Sequence, residues 1–186
     1  MKDVALAPYA PETAIIIVNL VLFAAFILPA ARRLRRLGRP ESSITRYVVL
    51  LFGVYFVESV AVAGGMGVPV FSVIVAPVWG IVCGRWAPNR MALESVPKAA
   101  LVVSLYSSLP ALSFLVVPLM ALAGGRSIIS AEGGAAFGIP RFLPWPADTI
   151  LGFYAVLSIG ALLLKTALTT FTAIRIAART GNRPSR

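Results

Sequence analysis

Two ionisable side chains lie inside apolar runs of this sequence: Glu58 in YFVESV and Lys165 in LLLKTALTT. A charge in hydrocarbon is costly, which makes each a functional candidate by default. Depth along a helix follows from a rise of about 1.5 Å per residue. Glu58 is five residues from the outer end of its run, Asn19 six, Ser72 four and Tyr154 seven, with Ser113 slightly deeper. These five side chains would share one polar layer roughly 6–15 Å below the outer surface. Such a layer would make a small binding site open to the outside, with Glu58 selecting a cation, a proton or an amine. The same side chains would equally serve as interhelical hydrogen bonds that hold a bundle together.

Lys165 falls toward the inner end of the last run, where its long stem reaches the cytoplasmic headgroups. That depth places it in the opposite half of the membrane from Glu58, so no Glu58–Lys165 pair is expected. A Schiff-base lysine of the retinal type would need a carboxylate at its own depth, and the sequence offers none there. Ser104 and Ser108 are one helical turn apart and share a face. They would line a polar path or pack against a neighbour. Gly80 and Gly84 form a GxxxG pair that permits close backbone approach, and Cys83 beside them reads as a small buried apolar residue.

Composition removes whole classes of chemistry. The chain has 186 residues, 59% apolar and 13% charged, with one cysteine and no histidine. Without histidine there is no His-ligated haem, no HExxH metal site and no Ser-His or Cys-His catalytic unit. One cysteine supplies neither an internal disulfide nor a Cys-based metal cluster. No Walker motif and no pair of intramembrane aspartates is present, and Glu94 stands alone in its loop. No cofactor or metal is therefore expected, and no enzyme acting by itself. A soluble domain is about 45–50% apolar and about 25% charged, so this chain is too apolar to coat a water-soluble globule.

The elements that must position these residues are membrane helices, each needing about 20 mostly apolar residues. Five spans are expected, near residues 13–30, 47–63, 68–84, 99–123 and 147–169. Pro110 and Pro118 fall inside the fourth, where they kink without ending it. An outer loop covers 124–146, and a basic tail covers 170–186, into which the helical pattern extends as far as Ala178. The expected fold class is all-α: one integral membrane domain, a polytopic transmembrane helix bundle.

Charge fixes the orientation. Of 17 Lys and Arg residues, 13 fall on one side of these spans and three (Lys2, Arg126, Arg141) on the other, Lys165 being within a span. By the positive-inside rule the N-terminus is outside and the C-terminus cytoplasmic. The net charge of +10 thus reports orientation, and nucleic acid is not an expected partner. The run RRLRRLGR carries Arg32, Arg33, Arg35, Arg36 and Arg39, a juxtamembrane cluster suited to anionic lipid headgroups at the cytoplasmic face. Two functions fit: a transport or solute-binding component of the cell membrane with a polar pocket at Glu58, or a non-catalytic anchor or scaffold in a larger membrane complex. Other membrane subunits, or further copies of the chain, are the expected protein partners.

Overall fold

The computed structural model describes residues 11–38, 43–64, 70–86, 91–114, 116 and 147–181. Among these it is all-helical, with no strands. Five α-helices follow in order: α1 (Pro11–Leu37), α2 (Ile44–Gly64), α3 (Val70–Trp86), α4 (Val96–Ser107) and α5 (Ala147–Gly181), with a 3-10 turn (Leu93–Ser95) leading into α4. Four stretches are long and apolar enough to cross a membrane: Thr13–Leu37, Ile44–Gly64, Leu93–Phe114 and Ala155–Thr180. At 17 residues, α3 is roughly 26 Å long, short of a hydrocarbon core of roughly 30 Å. The outer loop 124–146, Arg39 and the last five residues lie outside the described residues.

Several helix ends differ from the expected spans for a local reason. α1 continues seven residues past Ala30, through the arginine run. Arginine and leucine are good helix formers, and Arg35 and Arg36 in the last turn complement the helix dipole. The face carrying Ala31 and Leu34 is fully buried, while Arg32, Arg33, Arg35 and Arg36 are exposed. α5 is 35 residues long, so residues 170–181, expected as part of a tail, are helix. α4 meets Pro110, which has no N–H to give and whose ring crowds the preceding turn. Regular α-helix stops at Ser107, Ser108 is a turn, and helix resumes over 109–114.

α4 is the central helix. It touches all four others, and 61% of its apolar window is buried against 17–33% for the other three spanning stretches. Around it an aromatic stack joins three helices: Phe23 of α1 on Tyr55 of α2 at 5.1 Å, and Tyr55 on Tyr106 of α4 at 5.5 Å. α3 lies along α5, where Gly80 and Gly84 remove the side chains that would hold them apart. A β-carbon at Gly80 would stand 2.7 Å from the Thr169 carbonyl oxygen, and one at Gly84 2.7 Å from that of Ala173. The GxxxG pair is thus the seam between α3 and α5.

Polarity runs inside out. Phe52, Phe56, Val60, Ile74, Phe153 and Leu163 are exposed, whereas Glu58, Ser72, Ser104, Ser107, Lys165 and Thr169 are buried. Charged residues are almost never fully buried in soluble proteins unless paired, and large contiguous apolar surfaces mark contact with something other than water.

Candidate functional site

The buried polar groups converge on one ion pair. Lys165 Nζ is 3.0 Å from Glu58 Oε1, and both side chains are 0% exposed. The expectation that these residues occupy opposite halves of the membrane is corrected here. The depth scale had ended the last span at Thr169. The apolar stretch of α5 actually runs over Ala155–Thr180, which puts Lys165 roughly 4 Å from its midpoint. Glu58 is four residues from the midpoint of α2, roughly 6 Å toward Gly64. The two depths agree. Nor does Lys165 extend to the headgroups: it is sealed within the bundle.

Each partner has a further set of ligands. Ser72 Oγ of α3 donates to Glu58 Oε2. Trp79 Nε1, also of α3, donates to Glu58 Oε1 at 2.5 Å. Ser72 and Trp79 are seven residues apart, two turns along one face of α3. Lys165 Nζ also donates to the backbone carbonyl of Ser107 at 2.8 Å. That carbonyl belongs to the turn disturbed by Pro110, where backbone acceptors need partners from neighbouring helices. Beside it Ser104 Oγ donates to Thr166 Oγ1 at 2.9 Å. One turn along α5 from Lys165, Thr169 Oγ1 donates to the Ala76 carbonyl at 3.2 Å. The network therefore ties α2, α3, α4 and α5 together around a single anion–cation contact.

Of the five residues placed in one polar layer, the structure brings Glu58 and Ser72 together. Asn19 belongs to a separate contact, in which Tyr55 Oη donates to its side-chain oxygen and to its backbone carbonyl. Ser113 Oγ donates to the carbonyl of Pro110, three residues back in its own helix. Tyr154 falls on α5, but its side chain lies outside the described residues. Trp79 and the Ser107 carbonyl were missed as site groups, and Lys165, a candidate by itself, was not placed with Glu58. The i,i+7 spacing of Ser72 and Trp79 was the available signal for the first. Pro110 was a partial signal for the carbonyl: it removes the bond to the Tyr106 carbonyl, four residues before it, and so marks that turn without naming Ser107.

The arrangement can hold one positive charge beside one negative charge away from water. Glu58 supplies the carboxylate, Ser72 and Trp79 hold it in place, and the Ser107 carbonyl is a second oxygen ligand for the cation. Among the described residues no group of three or more His, Cys, Asp or Glu side chains could hold a metal ion. Comparison with protein-family models, curated proteins and solved structures finds no match to this chain.

Proposed function

We propose that this chain is a five-span integral membrane protein, N-terminus outside and C-terminus cytoplasmic, that works as a cation-linked transport or solute-binding component. The observation that carries this reading is the fully buried Glu58–Lys165 pair. An intramembrane ion pair marks a functional site by default. Lys165 is in effect a tethered cation resting on the carboxylate and the Ser107 carbonyl. A proton or a small amine competes with it for Glu58. Displacing Lys165 breaks the ion pair that ties α5 to α2 and the bond to the Ser107 carbonyl of α4, which gives occupancy a structural consequence. Arg32, Arg33, Arg35 and Arg36 hold the basic end at an anionic leaflet.

Chemical rescue tests this. Lys165→Ala leaves the carboxylate without its cation, so millimolar methylammonium is expected to raise the melting temperature of the purified variant and to leave Glu58→Gln unmoved. Methylammonium without effect on Lys165→Ala would overturn the cation-site reading. Orientation is tested separately in a Cys83→Ala background. An impermeant thiol reagent is expected to label Thr13→Cys in intact cells and Thr180→Cys only after lysis.

A second reading has its own observation. Both Glu58 oxygens are engaged within the chain and sealed from solvent, as suits a fixed pair that sets helix register. In that case the chain is an anchor or scaffold subunit, native purification brings down stoichiometric partners, and amines do nothing.

A further inference from the structure

The basic end of the bundle carries more than a diffuse charge. The side chain of Tyr47, at the start of α2, meets both Gly38 after α1 and the ring of Trp86 at the end of α3, the latter at 5.2 Å. Only six residues separate Trp86 from Leu93, so the N-terminus of α4 lies at this end too. Here α1 and α4 leave a groove of about 430 Å³ between them, within the usual range for ligand sites. Phe26 and Ala30 of α1, Val102 and Leu105 of α4, and Leu109 and Leu112 of the helical stretch that follows Ser108 line it. Leu105 is 58% exposed although it belongs to the most buried helix.

The groove is closed at one end by charge. Arg33 lines it, seven residues after Phe26 and on the same face of α1. Lys98 precedes Val102 by one turn of α4 and so continues the groove face of that helix. Both are exposed. The one ion pair among the described residues is Glu58–Lys165, so neither cation is spent on an acid. Glu94 is the one acid at this end among the described residues. A second apolar groove, between α1 and α2 near Asn19 and Tyr55, has no charged residue in its lining.

We propose that the α1–α4 groove is a binding site for one anionic phospholipid, with an acyl chain lying over Leu105 and Leu109 and its phosphate held between Arg33 and Lys98. An apolar trough that ends in two cations with no acid partner among the described residues complements an amphiphile with an anionic head. A membrane supplies such a molecule at this depth. The proposal rests on the membrane reading above, and sharpens headgroup attraction into a site with a defined tail and head.

Native mass spectrometry of the detergent-purified full chain tests it, with dioleoyl phosphatidylglycerol against dioleoyl phosphatidylcholine as probes. The wild type is expected to retain phosphatidylglycerol in preference. Each juxtamembrane charge contributes about five-fold to such binding, so Arg33→Gln with Lys98→Gln lowers the preference roughly 30-fold. Arg32→Gln with Arg35→Gln removes the same charge from the other side of α1 and is expected to change it less than about two-fold. Arg33→Lys with Lys98→Arg retains it, which separates charge from misfolding. Leu105→Trp fills the groove and is expected to displace lipid with both cations intact. Equal loss from the Arg32/Arg35 pair, no loss from Leu105→Trp, or competition by soluble glycerol phosphate overturns the site. A dimer that dissociates in Leu105→Trp overturns it in favour of a second copy of the chain. Wild type that is washed from membranes by alkaline carbonate overturns the membrane reading and the site with it, whereas carbonate-resistant chain without lipid preference overturns the site alone.

Discussion

Breaking the Glu58–Lys165 pair from either side should cost far more than removing it whole. At 3.0 Å and an effective dielectric of about 20, Coulomb's law gives an attraction of about 5.5 kcal/mol. Desolvating the two ions costs several kcal/mol each, so the intact pair is near break-even against apolar neighbours. A lone buried charge loses the attraction and keeps the penalty, an expected loss of about 3–5 kcal/mol for Lys165→Met or Glu58→Gln alone. The ligands set an order between the two. After Lys165→Met, Glu58 still accepts from Ser72 and Trp79. After Glu58→Gln, the ammonium keeps the Ser107 carbonyl and a neutral amide oxygen. Glu58→Gln should therefore be the worse single change. The double variant Glu58→Gln/Lys165→Met should lose less than either, so the coupling energy should exceed the larger single loss, at least about 3–5 kcal/mol. Unfolding of the purified variants by sodium dodecyl sulfate in mixed micelles measures all four corners of the cycle. Neutral interhelical hydrogen bonds reach about 1.7 kcal/mol at most in such cycles. A coupling below that value would refute the reasoning, because it would mean that the pair is hydrated and not sealed.

Other substitutions probe the packing around the pair. Gly84→Ala puts a β-carbon 2.7 Å from the Ala173 carbonyl oxygen and should cost about 1–3 kcal/mol by overpacking. Gly160→Ala, with open space around it, should stabilise by up to about 1 kcal/mol through helix propensity. The same denaturation assay compares them. Tyr55→Phe removes the hydrogen bonds to Asn19 and should cost about 0.6 kcal/mol, the mean for such bonds between membrane helices. Tyr47 is fully buried and its hydroxyl has no hydrogen-bond partner among the described residues. Tyr47→Phe should therefore be neutral or stabilising in thermal unfolding, since it removes a desolvated polar group without removing a bond.

The helices were legible in the sequence because hydropathy is a long, redundant signal. An 18-residue window at mean hydropathy 2.6 in α1 survives any single substitution. Helix ends were less legible. The arginines expected to mark the edge of hydrocarbon are also strong helix formers, so α1 runs through them instead of stopping. The contact between α3 and α5 was half visible. Gly80 and Gly84 announced a close approach, but nothing in their spacing named Thr169 and Ala173 as its other side. Ser72 and Glu58 were matched by depth because both helices end near the same glycine-rich link. Asn19 met the same depth test and belongs to another contact, since depth fixes one coordinate and rotation about the helix fixes the other.

Lys165 shows how an error in one boundary propagates into chemistry. Ending the last span at Thr169 put the lysine at a headgroup, where its charge needs no partner. Carrying the helix to Gly181 lowers the whole of α5 by several residues and turns the same lysine into a buried cation that requires an anion. Glu58 then ceases to be a lone acid awaiting a solute and becomes half of a pair. Thirteen cations are read as topology markers because they follow a rule about loops. Lys165 does not follow that rule, and a cation in an apolar run has two solutions, to climb out along its stem or to find a carboxylate. Stem length cannot decide between them. What decides is the packing of α5 against α3, where the two glycines bring Thr169 and Lys165 beneath the face that carries Ser72 and Trp79. The chemistry of the site is thus set by residues that carry no charge at all.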